Sequence, residues 1–145
     1  MPKQHNVTRV GIGVIIVNEN KKILIGKRTG SHAPFYSIPG GHVELGETFE
    51  ASAIREAKEE TNLDIIDPQV IGITNNLETY RREGLHYVSI VLLAKSYTGT
   101  PKIMEPDKCE DLRWVDPHNL TKPHSDASQR SITCYLEGKF YKKNE

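Results

Sequence analysis

Glu56, Glu59 and Glu60 lie within five residues of one another, on a stretch with helical periodicity. At about 100° per residue they fall within roughly a 100° arc of one helix face. Three carboxylates so placed repel one another unless something positive sits between them. Two hard divalent cations suit that position, because Mg2+ and Mn2+ prefer carboxylate, carbonyl and water oxygens. An E-x-x-E-E run is more often a solvated helix face, here with Lys58 nearby to soften the repulsion. The surroundings separate this run from that ordinary case: Gly41 precedes it, Glu47 stands six residues after Gly41, and Arg55 eight after that. Six fixed positions of residue types each used at roughly 5–8% coincide by chance about once in ten million registers, so coincidence is the weaker explanation.

Such side chains need a rigid carrier. Phe49 to Asn62 reads as a helix with Thr48 as its N-cap and no internal proline or glycine. Phe49, Ala53, Ile54 and Ala57 recur at helical spacing and predict its buried face, and Asn62 is a tolerable left-handed terminator. Upstream, Val10 to Val17 passes from alternating to continuously apolar, which suits a strand entering a core. The polar residues 18–21 read as a turn and Lys22 to Gly26 as a second strand, together a hairpin. Residues 29–35 are expected to be a loop leading to Ser37-Ile38-Pro39-Gly40-Gly41, whose paired glycines announce an unusual backbone path. Further strands are expected near Val70–Thr74, Tyr87–Lys95 and Leu112–Val115. A second helix, capped by Ser125 and ending before Gly138, should bury Ile132, Tyr135 and Leu136. Strands, a helix, more strands and a last helix predict a mixed sheet with helices on both sides.

The chain as a whole excludes several roles. Its 145 residues predict one domain spanning 1–145. Nineteen basic residues balance nineteen acidic ones, so neither stable nucleic-acid binding nor membrane binding is expected. Any anion must be held by a local site. Cys109 and Cys134 are too few for a disulfide framework and read as reduced thiols of a cytoplasmic protein. The segment Met1-Pro2-Lys3-Gln4-His5-Asn6 lacks the apolar stretch of a signal peptide. The longest apolar run, Val88 to Ala94, is too short to cross a bilayer and reads as a buried strand.

The stretch Gly41 to Leu63, GHVELGETFEASAIREAKEETNL, resembles the Nudix box, G-x5-E-x7-R-E-U-x-E-E-x-G-U, where U is a bulky apolar residue. Gly41, Glu47, Arg55, Glu56, Glu59, Glu60 and Leu63 match. Ala57 stands at a U position and Asn62 where the second glycine belongs; neither departure touches the carboxylates. Around the box, Gly26-Lys27-Arg28, Ser37 to His42, Leu85-His86-Tyr87-Val88 and Met104 to Glu110 are similar to segments of triphosphate-cleaving members, among them enzymes that sanitise oxidised guanine nucleotides. The likeness covers most of residues 10–120.

That resemblance implies an α/β Nudix fold, a mixed β-sheet sandwiched between helices. It implies a hydrolase in which Glu56, Glu59 and Glu60, with the Gly40 carbonyl, carry Mg2+ or Mn2+. Glu47 and Arg55 would brace the box by pairing, and Arg28 and Gly41 would contact the substrate. One carboxylate of the set, or one outside it among Glu105, Asp107 and Glu110, would take the proton from water. The favoured substrate is a nucleoside triphosphate, 8-oxo-dGTP or a relative, split to monophosphate and pyrophosphate. The alternatives are a dinucleoside polyphosphate, suggested by Tyr80, or ADP-ribose. A different class of reading is a non-catalytic nucleotide-binding module. Members of this branch are often homodimers, which makes a homodimer an expectation by resemblance.

Overall fold

A computed structural model describes residues 7–144; the segment 1–6, read above as no signal peptide, lies outside the described residues. The chain order is β1 (Arg9–Ile16), β2 (Ile23–Arg28), β3 (Tyr36–Ser37), β4 (Gly40–His42), α1 (Phe49–Thr61), β5 (Asp64–Ile66), β6 (Gln69–Asn75), α2 (Leu77–Glu83), β7 (Tyr87–Ala94), β8 (Ser96–Thr98), β9 (Cys109–Val115) and α3 (Asp126–Glu137).

β1 is the centre of the molecule because its two faces are both apolar. Ile12, Val14 and Ile16 pack with Ala53 and Ala57 of α1, while Ile15 and Val17 pack with Ile132 of α3. A strand covered on both faces reads as a continuous apolar run, which is the pattern of Val14-Ile15-Ile16. In the sheet ordered β4-β1-β7-β6, β1 runs parallel to β7 and antiparallel to β4, and β6 runs antiparallel to β7. A second sheet, β3-β2-β9, is antiparallel, and β5 pairs with β8. This is the mixed sheet between helices that the sequence predicts. Among the described residues no helix is long and apolar enough to cross a membrane.

Three local expectations are corrected. The turn after β1 forms, with the Asn18 side chain accepting from the Asn20 and Lys22 backbone, but β1 and β2 do not continue as a hairpin ladder. A single bridge, Val17 to Ile23, joins them; both edges of β1 are already filled by β4 and β7, so β2 turns to β9 and β3. On α1, Phe49 and Ile54 are 38% and 41% exposed. The buried stripe is Ser52, Ala53, Glu56, Ala57 and Thr61 instead, because the helix is rotated to bring Glu56 against the sheet edge. On α3, Ile132 is buried as expected but Leu136 is 38% exposed. The caps are as read: Thr48 accepts from the Ala51 N–H, Asn62 adopts φ 68°, and Ser125 accepts from the Ser128 N–H.

Candidate active site

The loop before α1 folds Glu47 back onto the helix. Gly46 takes a positive φ of 82°, and the Glu47 carboxylate accepts the Glu44 N–H at 2.9 Å. Arg55, two turns along α1, then meets it with a two-pronged contact: Nε to Oε2 at 2.8 Å and Nη2 to Oε1 at 3.0 Å. The same guanidinium donates to the His42 carbonyl at 3.0 Å, to Glu56 at 3.2 Å and to Glu59 at 3.4 Å. Arg55 thus ties loop, β4 and helix into one block. The Arg55 hydrogen bonds hold the Glu47 carboxyl down at about 2, helped by the Glu44 backbone.

Glu56 and Glu60, one turn apart on α1, turn their carboxyl groups toward each other, close enough to share a hydrogen bond. Burial pushes both up from the usual carboxylate range, and the charge of Glu56 adds to the rise at Glu60. A backbone hydrogen bond from Gly40 and the charge of Arg28 oppose that rise at Glu60. The pair nests against bare backbone: a Cβ at Gly41 would lie 2.0 Å from a Glu56 oxygen. Glu56 is already met by Arg55 at 3.2 Å, and with the half-buried Glu60 beside it the all-oxygen donor set suits a hard divalent ion. Glu59 stands apart, half-exposed and turned to Arg55. Among the described residues no group of three His, Cys, Asp or Glu side chains converges as a preformed metal cluster, so the structure joins two of the three predicted ligands and leaves the third at the rim.

These groups line a cleft of about 550 Å³. Its floor includes Gly11 and Gly13 of β1, and Arg28, Gly40, Gly41, Glu56, Glu59 and Glu60 all face it. Of the three acidic residues left open by the sequence, Glu105 lines the cleft, Glu110 is 3.0 Å from Lys27 in an ion pair, and Asp107 meets Thr29 through its backbone carbonyl. A larger hollow of about 1170 Å³, bordered by Val17, Tyr97 and Phe140, lies away from the carboxylates. Cys109 and Cys134 are free thiols that burial pushes up. Tyr80, the residue behind the dinucleoside reading, lies on α2, 5.7 Å from the His86 ring, and does not face the cleft.

Sequence reading missed the far wall. Asn76, 3% exposed, accepts from Thr74 and donates to Ser89 at 2.8 Å. Arg82 of α2 lies 5.5 Å over the Phe35 ring, and Ser128 closes the cleft from α3. α2 buries no residue of its own, so it has no apolar period to read; Asn76 before it and Gly84 after it were the available signals.

Comparison with known proteins agrees with this geometry. A NUDIX domain model matches residues 7–136, and the chain belongs to the Nudix family. A protein of Bacillus subtilis (strain 168), provisionally named an 8-oxo-dGTP diphosphatase, is 32% identical over 128 residues, covering 88% of this chain and 80% of that protein. The ADP-ribose pyrophosphatase of Methanocaldococcus jannaschii is 31% identical over 130 residues, covering 90% and 74%. The crystal structure of a MutT NUDIX hydrolase from Burkholderia pseudomallei has a TM-score of 0.79 and 30% identity, covering 88% of this chain and 97% of that one. The protein is therefore a pyrophosphohydrolase acting on phosphoric anhydrides of nucleotide-like substrates, of a family that generally uses divalent metal ions.

Proposed function

We propose that the protein hydrolyses a nucleoside triphosphate to the monophosphate and pyrophosphate with Mg2+ or Mn2+, an oxidised guanine nucleotide such as 8-oxo-dGTP being the first substrate to test. The observation that carries this is that Glu56, Glu59 and Glu60 open, beside Arg28, into one cleft whose lining also includes Gly11, Gly13, Gly40 and Gly41. In this reading Glu56, Glu59 and Glu60, with the Gly40 backbone, would hold the metal. A divalent ion there would supply charge to neutralise phosphate oxygens and to activate the attacking water.

The chain's own residues do the rest. Arg28 offers a planar fork to phosphate oxygens. A carboxylate takes the proton released as water attacks phosphorus: either a member of the box or Glu105, which faces the cleft. Glu47 and Arg55 touch no reacting atom and act by holding the box in register. ADP-ribose is the second reading, favoured by the name of the archaeal relative.

The test is a substrate panel of normal and oxidised nucleoside triphosphates, ADP-ribose and diadenosine polyphosphates, with products resolved by chromatography. Monophosphate plus pyrophosphate supports the proposal. Turnover confined to ADP-ribose or a dinucleotide keeps the chemistry and replaces the substrate. Nucleotide bound with no product in either metal points to a binding module.

A further inference from the structure

Between its two larger sheets the chain crosses at residues 38–39, and the crossing delivers the backbone under the carboxylates. Before it, β3 pairs with β2; after it, β4 pairs with β1. The Tyr36 N–H donates to the Pro123 carbonyl at 2.8 Å and the Tyr36 carbonyl accepts the Ser125 N–H at 2.8 Å, so 123–125 runs beside Tyr36 as a short parallel bridge. That ladder cannot continue, because α3 begins at Asp126 and directs its backbone groups along its own axis. The next inward N–H, that of Ile38, is taken by the Ser128 hydroxyl at 2.9 Å. One residue further on, the Pro39 carbonyl accepts from the Val14 N–H at 2.8 Å and the β1 register begins. A side chain thus bridges the gap where no backbone partner is within reach.

His124 aims that hydroxyl. Its Nε2 lies 2.7 Å from Ser128 Oγ. The other ring nitrogen, Nδ1, is buried without a hydrogen-bond partner, so the Ser128 hydroxyl is the ring's one hydrogen-bonding contact among the described side chains. Burial holds His124 below the ordinary imidazole range, so the ring is neutral and available as an acceptor.

We infer that Ser128, oriented by His124, is a positioning residue for the cation site: it fixes the strand crossing that sets the Gly40 and Gly41 backbone against Glu60 and Glu56. Ser128 is 4% exposed and Ile38 7%, so removing the hydroxyl leaves a buried donor unsatisfied just ahead of that backbone. Gly40 is packed on the Ile12 carbonyl and Gly41 on the Glu56 carboxylate, leaving both glycines little room to absorb a shift. This inference rests on the reading of Glu56 and Glu60 as cation ligands.

The experiment is Mn2+ binding to the full chain without substrate, followed by electron paramagnetic resonance, in wild type, Ser128→Ala, His124→Ala and Glu60→Gln. Glu60→Gln is expected to lose the site. Ser128→Ala should weaken Mn2+ by about tenfold, the usual scale for a group supporting a ligand, and speed amide exchange at Ile38 and Gly40 while β7 stays protected. His124→Ala, which keeps the hydroxyl, should weaken binding by less. A purely structural hydroxyl would lower the melting temperature and leave the Mn2+ affinity of the folded protein alone. Wild-type affinity in Ser128→Ala, or in His124→Ala where Ser128→Ala does not fold, overturns the positioning role if Glu60→Gln has lost the ion. Wild-type affinity in Glu60→Gln overturns the ligand reading beneath it.

Discussion

Gly41 faces the Glu56 carboxylate so closely that a methyl group at position 41 would sit 2.0 Å from one oxygen and 2.4 Å from the carboxyl carbon. The neighbouring Gly40 meets backbone instead: a Cβ there would lie 2.2 Å from the Ile12 carbonyl oxygen. One glycine makes room for a functional side chain, the other for a strand.

The two substitutions should therefore part company. Gly41→Ala displaces the end of a flexible side chain, so the fold should survive while turnover falls by about 10- to 100-fold. Gly40→Ala pushes β4 off β1 and should cost more than about 2 kcal/mol of stability. Urea denaturation and initial rates on both variants check this; equal stability of the two, or full activity in Gly41→Ala, would contradict it.

Arg55 and Glu47 form the brace, and its geometry demands a fork. Arg55→Lys keeps the charge but cannot make the paired Nε and Nη2 contacts, so both the melting temperature and turnover should drop. The Glu47 carboxyl is lowered to about 2 by the Arg55 hydrogen bonds. The stability it contributes is thus fully present above the unfolded carboxylate range and is lost as pH falls from about 4.5 toward 2. The stability difference between wild type and Glu47→Gln should be constant above pH 5 and shrink below it. A difference unchanged down to pH 3 would argue against this pairing.

Glu60 and Glu56 behave in the opposite sense. Burial raises both in the metal-free protein, so their contribution is present at acid pH and is lost as pH rises through the raised values. In chelator, Glu60→Gln should melt higher than wild type near neutrality and lose much of that pH dependence. Glu59→Gln should not gain stability, since its carboxylate already faces Arg55 at 3.4 Å. Added Mn2+ should raise the melting temperature of wild type and leave Glu60→Gln unmoved. Scanning fluorimetry across pH, with and without metal, reads all three; identical curves for the two glutamine variants would defeat the distinction.

Neither cysteine is expected to take part in the chemistry. Both thiols are pushed up by burial, which disfavours the reactive thiolate, although Cys109 lines the cleft. Cys109→Ala and Cys134→Ala should each retain turnover close to wild type. A large loss in Cys109→Ala with the fold intact would give that thiol a role.

The box was legible because its chemistry is local: spacing along one helix places Glu56 and Glu60, and Thr48 and Asn62 mark where that helix starts and stops. The strands with strong apolar runs, β1, β6 and β7, were legible for the same reason. The turn at residues 18–21 was read correctly but its consequence was not, because turn chemistry does not say which edges of β1 other strands will fill. Glu59 turning to Arg55 is a local pairing four residues apart on α1, whereas Phe49 and Ile54 facing out, and Ser128 replacing a backbone acceptor at Ile38, depend on neighbours distant in sequence. α2 has no buried face, so hydrophobic periodicity could not announce it.

The most direct test of the central claim is the rate of monophosphate and pyrophosphate release from 8-oxo-dGTP and dGTP by wild type and Glu60→Gln, with Mg2+, with Mn2+ and in chelator. Metal-dependent release by wild type from at least one of them, none in chelator, and a fall of about a hundredfold or more in Glu60→Gln are expected. Wild-type rates in Glu60→Gln, or cleavage that persists without metal, would contradict the account.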